Sequence, residues 1–159
     1  MLPGSGVDLN KFVPVKKEKN DVLTFLLIAR LLKDKGVIEY INAIKIIKSK
    51  YNNIEFQILG AVGVANKTAI REDELQNWID SGLVNYLGIS DNVQNIIADS
   101  DCVILPSYRE GTPRSLLEAC AMEKPIIATD VVGCKEVVDD GKNGFLCEVK
   151  NPQDLAKTI

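Results

Sequence analysis

Two carboxylates, Glu110 and Glu118, flank a strand-to-helix turn of a kind that binds anions. A short apolar run, Val103-Ile104-Leu105-Pro106, ends in a polar elbow carrying Glu110. Thr112 is expected to cap the following helix, with Pro113 at its first position, where the missing N–H costs nothing. The helix then presents an apolar face of Leu116, Leu117, Ala119 and Cys120. Such a turn points unpaired backbone N–H groups and the positive end of the helix dipole outward, which suits a phosphate. Glu110 lies just before the helix and Glu118 about two turns along it, so one carboxylate is expected at the mouth and the other deeper. The phosphates of a nucleotide fit between them. Arg30 and Lys35 supply the complementary charge. They stand at and just after the end of the first predicted strand, where a doubly wound sheet presents its ligand. Two cations there neutralise a diphosphate, and Arg does so through two parallel hydrogen bonds. Lys33 beside them reads as solvated.

The elements that must position these groups alternate along the chain. Strands are expected over 22–29, 54–59, 84–87, 102–105, 125–129 and 145–149. Between them, residues 37–51 read as a helix with Ile38, Ile41, Ile44 and Ile47 on one face, and residues 69–79 as a more polar helix carrying Trp78. A short helix over 93–98 and a helical turn over 135–138 follow, and Pro152 opens the last helix. This β-α alternation predicts an α/β domain: a Rossmann-like, doubly wound parallel sheet of six strands, with helices on both faces and ligand at its carboxyl edge. Residues 1–14 have no periodicity, leaving 15–159 as the domain.

The chain's 159 residues make one domain's worth of sequence, large enough for a sizeable core. It contains no histidine, which excludes a Ser-His-Asp or Cys-His nucleophile system within it. Cys102, Cys120, Cys134 and Cys147 are scattered without a C-x-x-C pair, so they read as buried reduced thiols rather than zinc ligands. Residues 1–55 carry a net +4 and residues 56–159 a net −7. The basic part, with Lys16, Lys17, Lys45, Lys48 and Lys50, reads as a solvated face, an anionic membrane or partner being the alternative. The acidic balance and the lack of an aromatic-basic cluster argue against nucleic acid. A dinucleotide-dependent oxidoreductase would need G-x-G-x-x-G after the first strand, and ARLLKDKG is nothing like it.

Glu110 and Glu118 form an E-x7-E motif, and SYREGTPRSLLEACAMEKPIIAT around them resembles the donor-binding half of retaining glycosyltransferases of family 4, with the GT-B fold. LIARLLKDKG at 27–36, VNYLG at 84–88 and PIIATDVVGCKEVVDDGKNG at 125–144 resemble the family's other segments in the right order and spacing. The resemblance implies the C-terminal domain of a two-domain hexosyltransferase that moves a sugar from a nucleoside-diphosphate sugar to an acceptor hydroxyl with retention. It also makes residues 1–14 the remnant of the interdomain linker and leaves the domain expected to be cut within its last helix. It gives Glu118 the ribose hydroxyls, for which a carboxylate offers two acceptors and no competing donor. Glu110 lies near the donor sugar, facing positive charge that develops at the anomeric carbon. Arg30 and Lys35 stabilise the departing diphosphate.

Gly111, Thr112 and Pro113 shape the phosphate turn, Arg114 is a weaker third cation, and Gly88 and Ile89 line the nucleobase. Gly133 and Glu136 resemble a later Gly-x-x-Glu element that steadies the loop. The implied donor is a UDP-sugar, or alternatively a GDP-sugar, with no metal or other cofactor. The acceptor, lipid-linked or saccharide, belongs to an N-terminal domain outside this sequence, as does any membrane contact at the inner face of the cytoplasmic membrane. A free-standing nucleotide-sugar binding module with the same site residues is the alternative. Two departures stand out: Glu123 replaces the glycine usual before Lys124-Pro125, and Ala61-Val62-Gly63 replaces a tighter glycine-rich turn.

Overall fold

Runs rich in Ile, Leu, Val and Phe become strands because β-branched and aromatic side chains fit a pleated surface buried on both sides. The computed structural model describes residues 6–18 and 21–159. Strands β1 (Leu23–Ile28), β2 (Ile54–Leu59), β3 (Asn85–Tyr86), β4 (Cys102–Leu105), β5 (Ile126–Thr129) and β6 (Gly144–Cys147) form one parallel sheet. Their order is β3-β2-β1-β4-β5-β6, so the winding reverses between β1 and β4. Helices α1 (Val37–Lys48), α2 (Glu72–Asp80), α3 (Val93–Asp99), α4 (Arg114–Ala121), α5 (Val132–Lys135) and α6 (Pro152–Thr158) cover both faces. The expected Rossmann-like, doubly wound fold is present.

Alternation along β1 divides the core. Phe25 and Leu27 join Tyr40, Ile44, Phe56 and Leu155 under α1 and α6. Leu26 points the other way, toward Ile97, Leu116, Ala119 and Cys134 of α3, α4 and α5. The period-three isoleucines of α1 face this core, joined by Tyr40, whose hydroxyl donates to the Phe25 carbonyl at 3.1 Å. All four cysteines are free, and burial pushes the Cys102 thiol up to about 12.

Several boundaries differ from the sequence reading. Helix α1 stops at Lys48 rather than Tyr51, where the Lys50 and Tyr51 N–H groups both turn back to the Ile47 carbonyl. Helix α2 begins at Glu72, not Ala69, because residues 68–70 pair with the chain after β1: Lys33 N–H donates to Thr68 O and Ile70 N–H to Leu31 O. The turn expected over 135–138 is instead α5, three residues earlier, set by contacts of Gly133 described below. Strand β6 ends at Cys147, whose carbonyl takes the Asp130 N–H, and Lys150 then turns with φ +58°.

Of the segment read as a linker, residues 1–5 lie outside the described residues. Phe12 is buried in the core under α3 and α4, so this stretch is anchored to the domain it leads into.

Candidate active site

The reversal of strand order leaves a crevice at the carboxyl ends of β1 and β4, the general ligand position in open α/β sheets. A cleft of about 570 Å³ opens there. Ile28, Ala29 and Arg30 bring β1's end to it and Leu105 brings β4's. Lys35, Glu110, Pro113, Arg114, Ser115 and Glu118 complete its charged side. Residues 75 and 80 positions apart in sequence thus meet because two neighbouring strands end side by side.

Lys35 reaches the cleft from a single 3-10 turn, Lys33–Lys35, that ends on Gly36 with φ +71°. That left-handed conformation disfavours a side chain, and a Cβ there would stand 1.9 Å from the Pro106 carbonyl oxygen. Glycine thus lets the turn lie directly against the elbow after β4. Across this contact the Lys35 ammonium bonds Glu110 Oε1 at 2.6 Å, so the two groups are each other's partners. Arg30 is exposed on the cleft, and among the described residues its side chain has neither ion pair nor hydrogen bond.

The helix after the elbow starts one residue later than expected. Pro113 is the N-cap, extended at φ −72° and ψ 108°, and its carbonyl accepts from Leu116 and Leu117. Thr112 therefore lies outside the helix and makes no cap. The Arg114 and Ser115 amides have no intrahelical acceptor and stand at the cleft wall. Helix α4 buries Leu116 and Ala119, and it carries Glu118, 7% exposed, into the cleft. Burial raises the Glu118 carboxyl above its ordinary value, opposed by the charge and hydrogen bond of Arg114 and by the charge of Lys11. Arg114 Nε donates to Glu118 Oε1 at 3.0 Å across one helical turn.

The elbow itself is fixed from beneath. A Cβ on Gly133 would fall 1.6 Å from the Gly111 carbonyl oxygen and 2.5 Å from that of Glu110, so α5 packs its glycine against this loop. Burial, with the nearby Glu110 charge, pushes the Cys134 thiol up to about 11. Thr129 Oγ1 donates to the Ser107 carbonyl from β5's end.

The structure thus gathers Arg30, Lys35, Glu110, Pro113 and Glu118 around one cleft. Gly111 and Thr112 stay in the elbow outside its lining, as do Gly88 and Ile89 after β3. Gly88 instead accepts the Gly60 N–H at 2.8 Å, and Ile89 projects into solvent at 77% exposure. Glu136 is exposed outside the cleft. The wall beyond Glu118 is built by Ser90, Asp91 and Val93 and by Lys11 and Phe12, with Lys11 Nζ 3.4 Å from the Asp91 carbonyl. Sequence reasoning missed Lys11 and Phe12; the one trace was the single aromatic in an aperiodic segment. Among the described residues no group of three or more His, Cys, Asp or Glu side chains is placed to hold a metal ion. No helix of the described residues is long and apolar enough to cross a membrane.

Comparison with known proteins agrees with this architecture. The chain is 33% identical over its whole length to the N,N'-diacetylbacillosaminyl-diphospho-undecaprenol alpha-1,3-N-acetylgalactosaminyltransferase of Campylobacter jejuni, of which it covers 43%. It is 31% identical over 88% of its length to the capsular polysaccharide biosynthesis glycosyltransferase CapM of Staphylococcus aureus, covering 36% of that protein. The chain therefore spans less than half the length of these relatives. Anabaena HepE, solved in complex with UDP-glucose, superposes on 96% of the chain with a TM-score of 0.79 at 23% identity, the match covering 44% of that chain. Residues 9–159 match the family described as glycosyl transferases group 1, and the chain belongs to that family.

Proposed function

We propose that this chain is the donor-binding domain of a retaining, family 4 hexosyltransferase, and that its cleft holds a nucleoside-diphosphate sugar. The observation that carries the reading is the meeting of Arg30, Lys35, Glu110 and Glu118 at the β1/β4 reversal, beside the open amides of α4. Glu118 would accept from the ribose hydroxyls, and Arg30, Lys35 and the α4 amides would hold the diphosphate. As the bond from the anomeric carbon to the phosphate oxygen breaks, negative charge builds on the diphosphate. The same cations and amides stabilise it, the part a divalent metal plays elsewhere. Glu110 would face the positive charge on the anomeric carbon while the acceptor hydroxyl attacks from the leaving group's side, its proton passing to the departing diphosphate oxygen.

The donor we assign first is a UDP-sugar, supported by the UDP-glucose bound to HepE. An acceptor on a lipid diphosphate, in bacterial surface polysaccharide synthesis at the cytoplasmic membrane, is supported by the names of the Campylobacter and Staphylococcus relatives. That acceptor would be bound by a further domain of a longer protein.

Calorimetric titration of this chain with UDP, GDP and ADP tests the reading, with Glu118→Ala and Arg30→Ala alongside. One diphosphate, UDP first, should bind selectively. Each substitution should weaken it about tenfold, the loss of one charge-assisted hydrogen bond. Absence of binding by this chain and by the full-length protein overturns the reading.

A further inference from the structure

The geometry points to Tyr108 and Glu39 as a positioning pair that latches the elbow bearing Glu110 to the turn bearing Lys35, and so sets the spacing of the site's two diphosphate-facing loops. This rests on the proposed donor site, but the contacts stand on their own. Tyr108 lies two residues before Glu110, and its hydroxyl donates to Glu39 Oε1 at 2.8 Å. Its backbone N–H donates to the Asp34 carbonyl at 2.9 Å. Asp34 is in the turn that carries Lys35, and Glu39 is in the first turn of α1 directly after it. One residue of the elbow therefore grips both ends of the segment that aims Lys35.

The grip is built for a fixed geometry. Lys150 Nζ stands 4.7 Å from the Tyr108 ring centroid, so the ring is held by a cation as well as by its hydroxyl. Burial, then the hydrogen bond and charge of Glu39 and the charge of Asp34, push the Tyr108 phenol up to about 12, which keeps it a donor at any physiological pH. Glu39 Oε2 is buried without a partner among the described residues. The Tyr108 bond is thus the carboxylate's recorded side-chain hydrogen bond, and losing it would leave both oxygens uncompensated. The contact also lies away from the cleft, whose lining includes neither Tyr108 nor Glu39. A pair that touches no ligand yet joins the two loops that would touch it acts through Lys35 and Glu110.

Two measurements on the chain separate this from a merely structural bond. In amide hydrogen exchange, Tyr108→Phe should raise the exchange rates of the 107–112 and 33–36 amides at least tenfold, leaving those of β1 and β4 unchanged. In nucleoside diphosphate titration, Tyr108→Phe and Glu39→Ala should each weaken binding about fivefold. Glu39→Gln, which keeps the acceptor, should retain wild-type affinity. In a Lys35→Ala background, Tyr108→Phe should cost no further affinity. Exchange unchanged at the elbow, or raised equally in the core strands, overturns the latch. So does diphosphate affinity within twofold of wild type in Tyr108→Phe. If neither wild-type chain nor full-length protein binds a diphosphate while Tyr108→Phe loosens the elbow selectively, the donor reading fails and the latch stands.

Discussion

Replacing Glu110 by Gln should tighten diphosphate binding while it slows sugar transfer. The Lys35 ammonium is 2.6 Å from Glu110 Oε1, with side chains only 24% and 12% exposed. A diphosphate that recruits Lys35 must share it with this carboxylate and bring its own negative charge alongside. Two like charges about 5 to 6 Å apart repel by ~3 kcal/mol at an effective dielectric constant of ~20. Lys35 and Arg30 screen roughly half of that, leaving ~1.5 kcal/mol, or about a tenfold change in Kd. Gln keeps the side chain's length and one acceptor oxygen, so Lys35 stays aimed while the repulsion goes.

Stability should move the other way. Loss of a half-buried, charge-assisted bond costs about 1 kcal/mol, or roughly 2–4 °C in Tm for a domain of this size. The assay is calorimetry with the preferred nucleoside diphosphate at low ionic strength, with the bare nucleoside as control, since its binding should not change. In a longer glycosyltransferase that contains this domain, kcat should fall, because the carboxylate proposed to face the anomeric carbon would be gone. An unchanged or weaker diphosphate affinity in Glu110→Gln would refute the reasoning, because it would mean that phosphate never approaches the Lys35–Glu110 pair.

Four further outcomes follow. Glu118's raised carboxyl is protonated at a higher pH than an ordinary glutamate, so nucleotide affinity should drop as pH falls through that raised value; titrations at about pH 7, 6 and 5 check this, and Glu118→Gln should lack the dependence. Folding shows the opposite slope: a carboxyl raised in the folded state contributes most stability below its unfolded value of about 4.3 and loses it as pH rises, so Glu118→Gln should flatten Tm against pH just above that value. Gly133→Ala should abolish donor binding with the fold retained by circular dichroism, because its methyl would displace the Gly111 carbonyl. Glu123→Gly should raise Tm by about 2 °C: Glu123 holds φ +56° in the left-handed turn closing α4, a strain of ~1 kcal/mol that glycine relieves, less its greater unfolded-state freedom.

That turn shows what sequence made legible. Glu123 N–H donates to Cys120 O and Lys124 N–H to Ala119 O, the bond pattern that a glycine normally completes, so a departure from pattern located real strain. Strands β1, β4 and β5 were readable because the centre of a sheet buried on both faces needs near-unbroken apolar runs, whereas β2 is interrupted by Glu55 and Gln57 and the edge strand β3 is only Asn85–Tyr86. Helix starts were less so. Residues 69–71 were misread as helix because Ile70 is buried by pairing with the chain after β1, a contact that local periodicity does not encode. Thr112 looked like a cap by type, but Pro113's extended backbone takes that position. The clustering of Arg30, Lys35 and Glu110 was legible from their places after strand ends, and that of Glu118 from its place on the helix that follows the elbow. Their pairings were not, since which cation meets which carboxylate depends on side-chain reach across two loops.

Those pairings set how the cleft can receive an anion. Lys35 is held by Glu110 and Arg114 by Glu118, so both motif carboxylates have a cation from within the chain. A buried charge left bare is costly, and each pair supplies that compensation. Arg30 differs: it is exposed, and among the described residues its side chain has no partner, so it offers its full charge to an arriving phosphate without breaking a bond. Capture would begin at Arg30, and Lys35 would then transfer part of its bonding from Glu110 to the diphosphate. That exchange leaves Glu110 less neutralised on the side where the donor sugar would sit. The carboxylate would thus face the anomeric carbon most strongly only once a diphosphate is in place, which ties its electrostatic role to a loaded site.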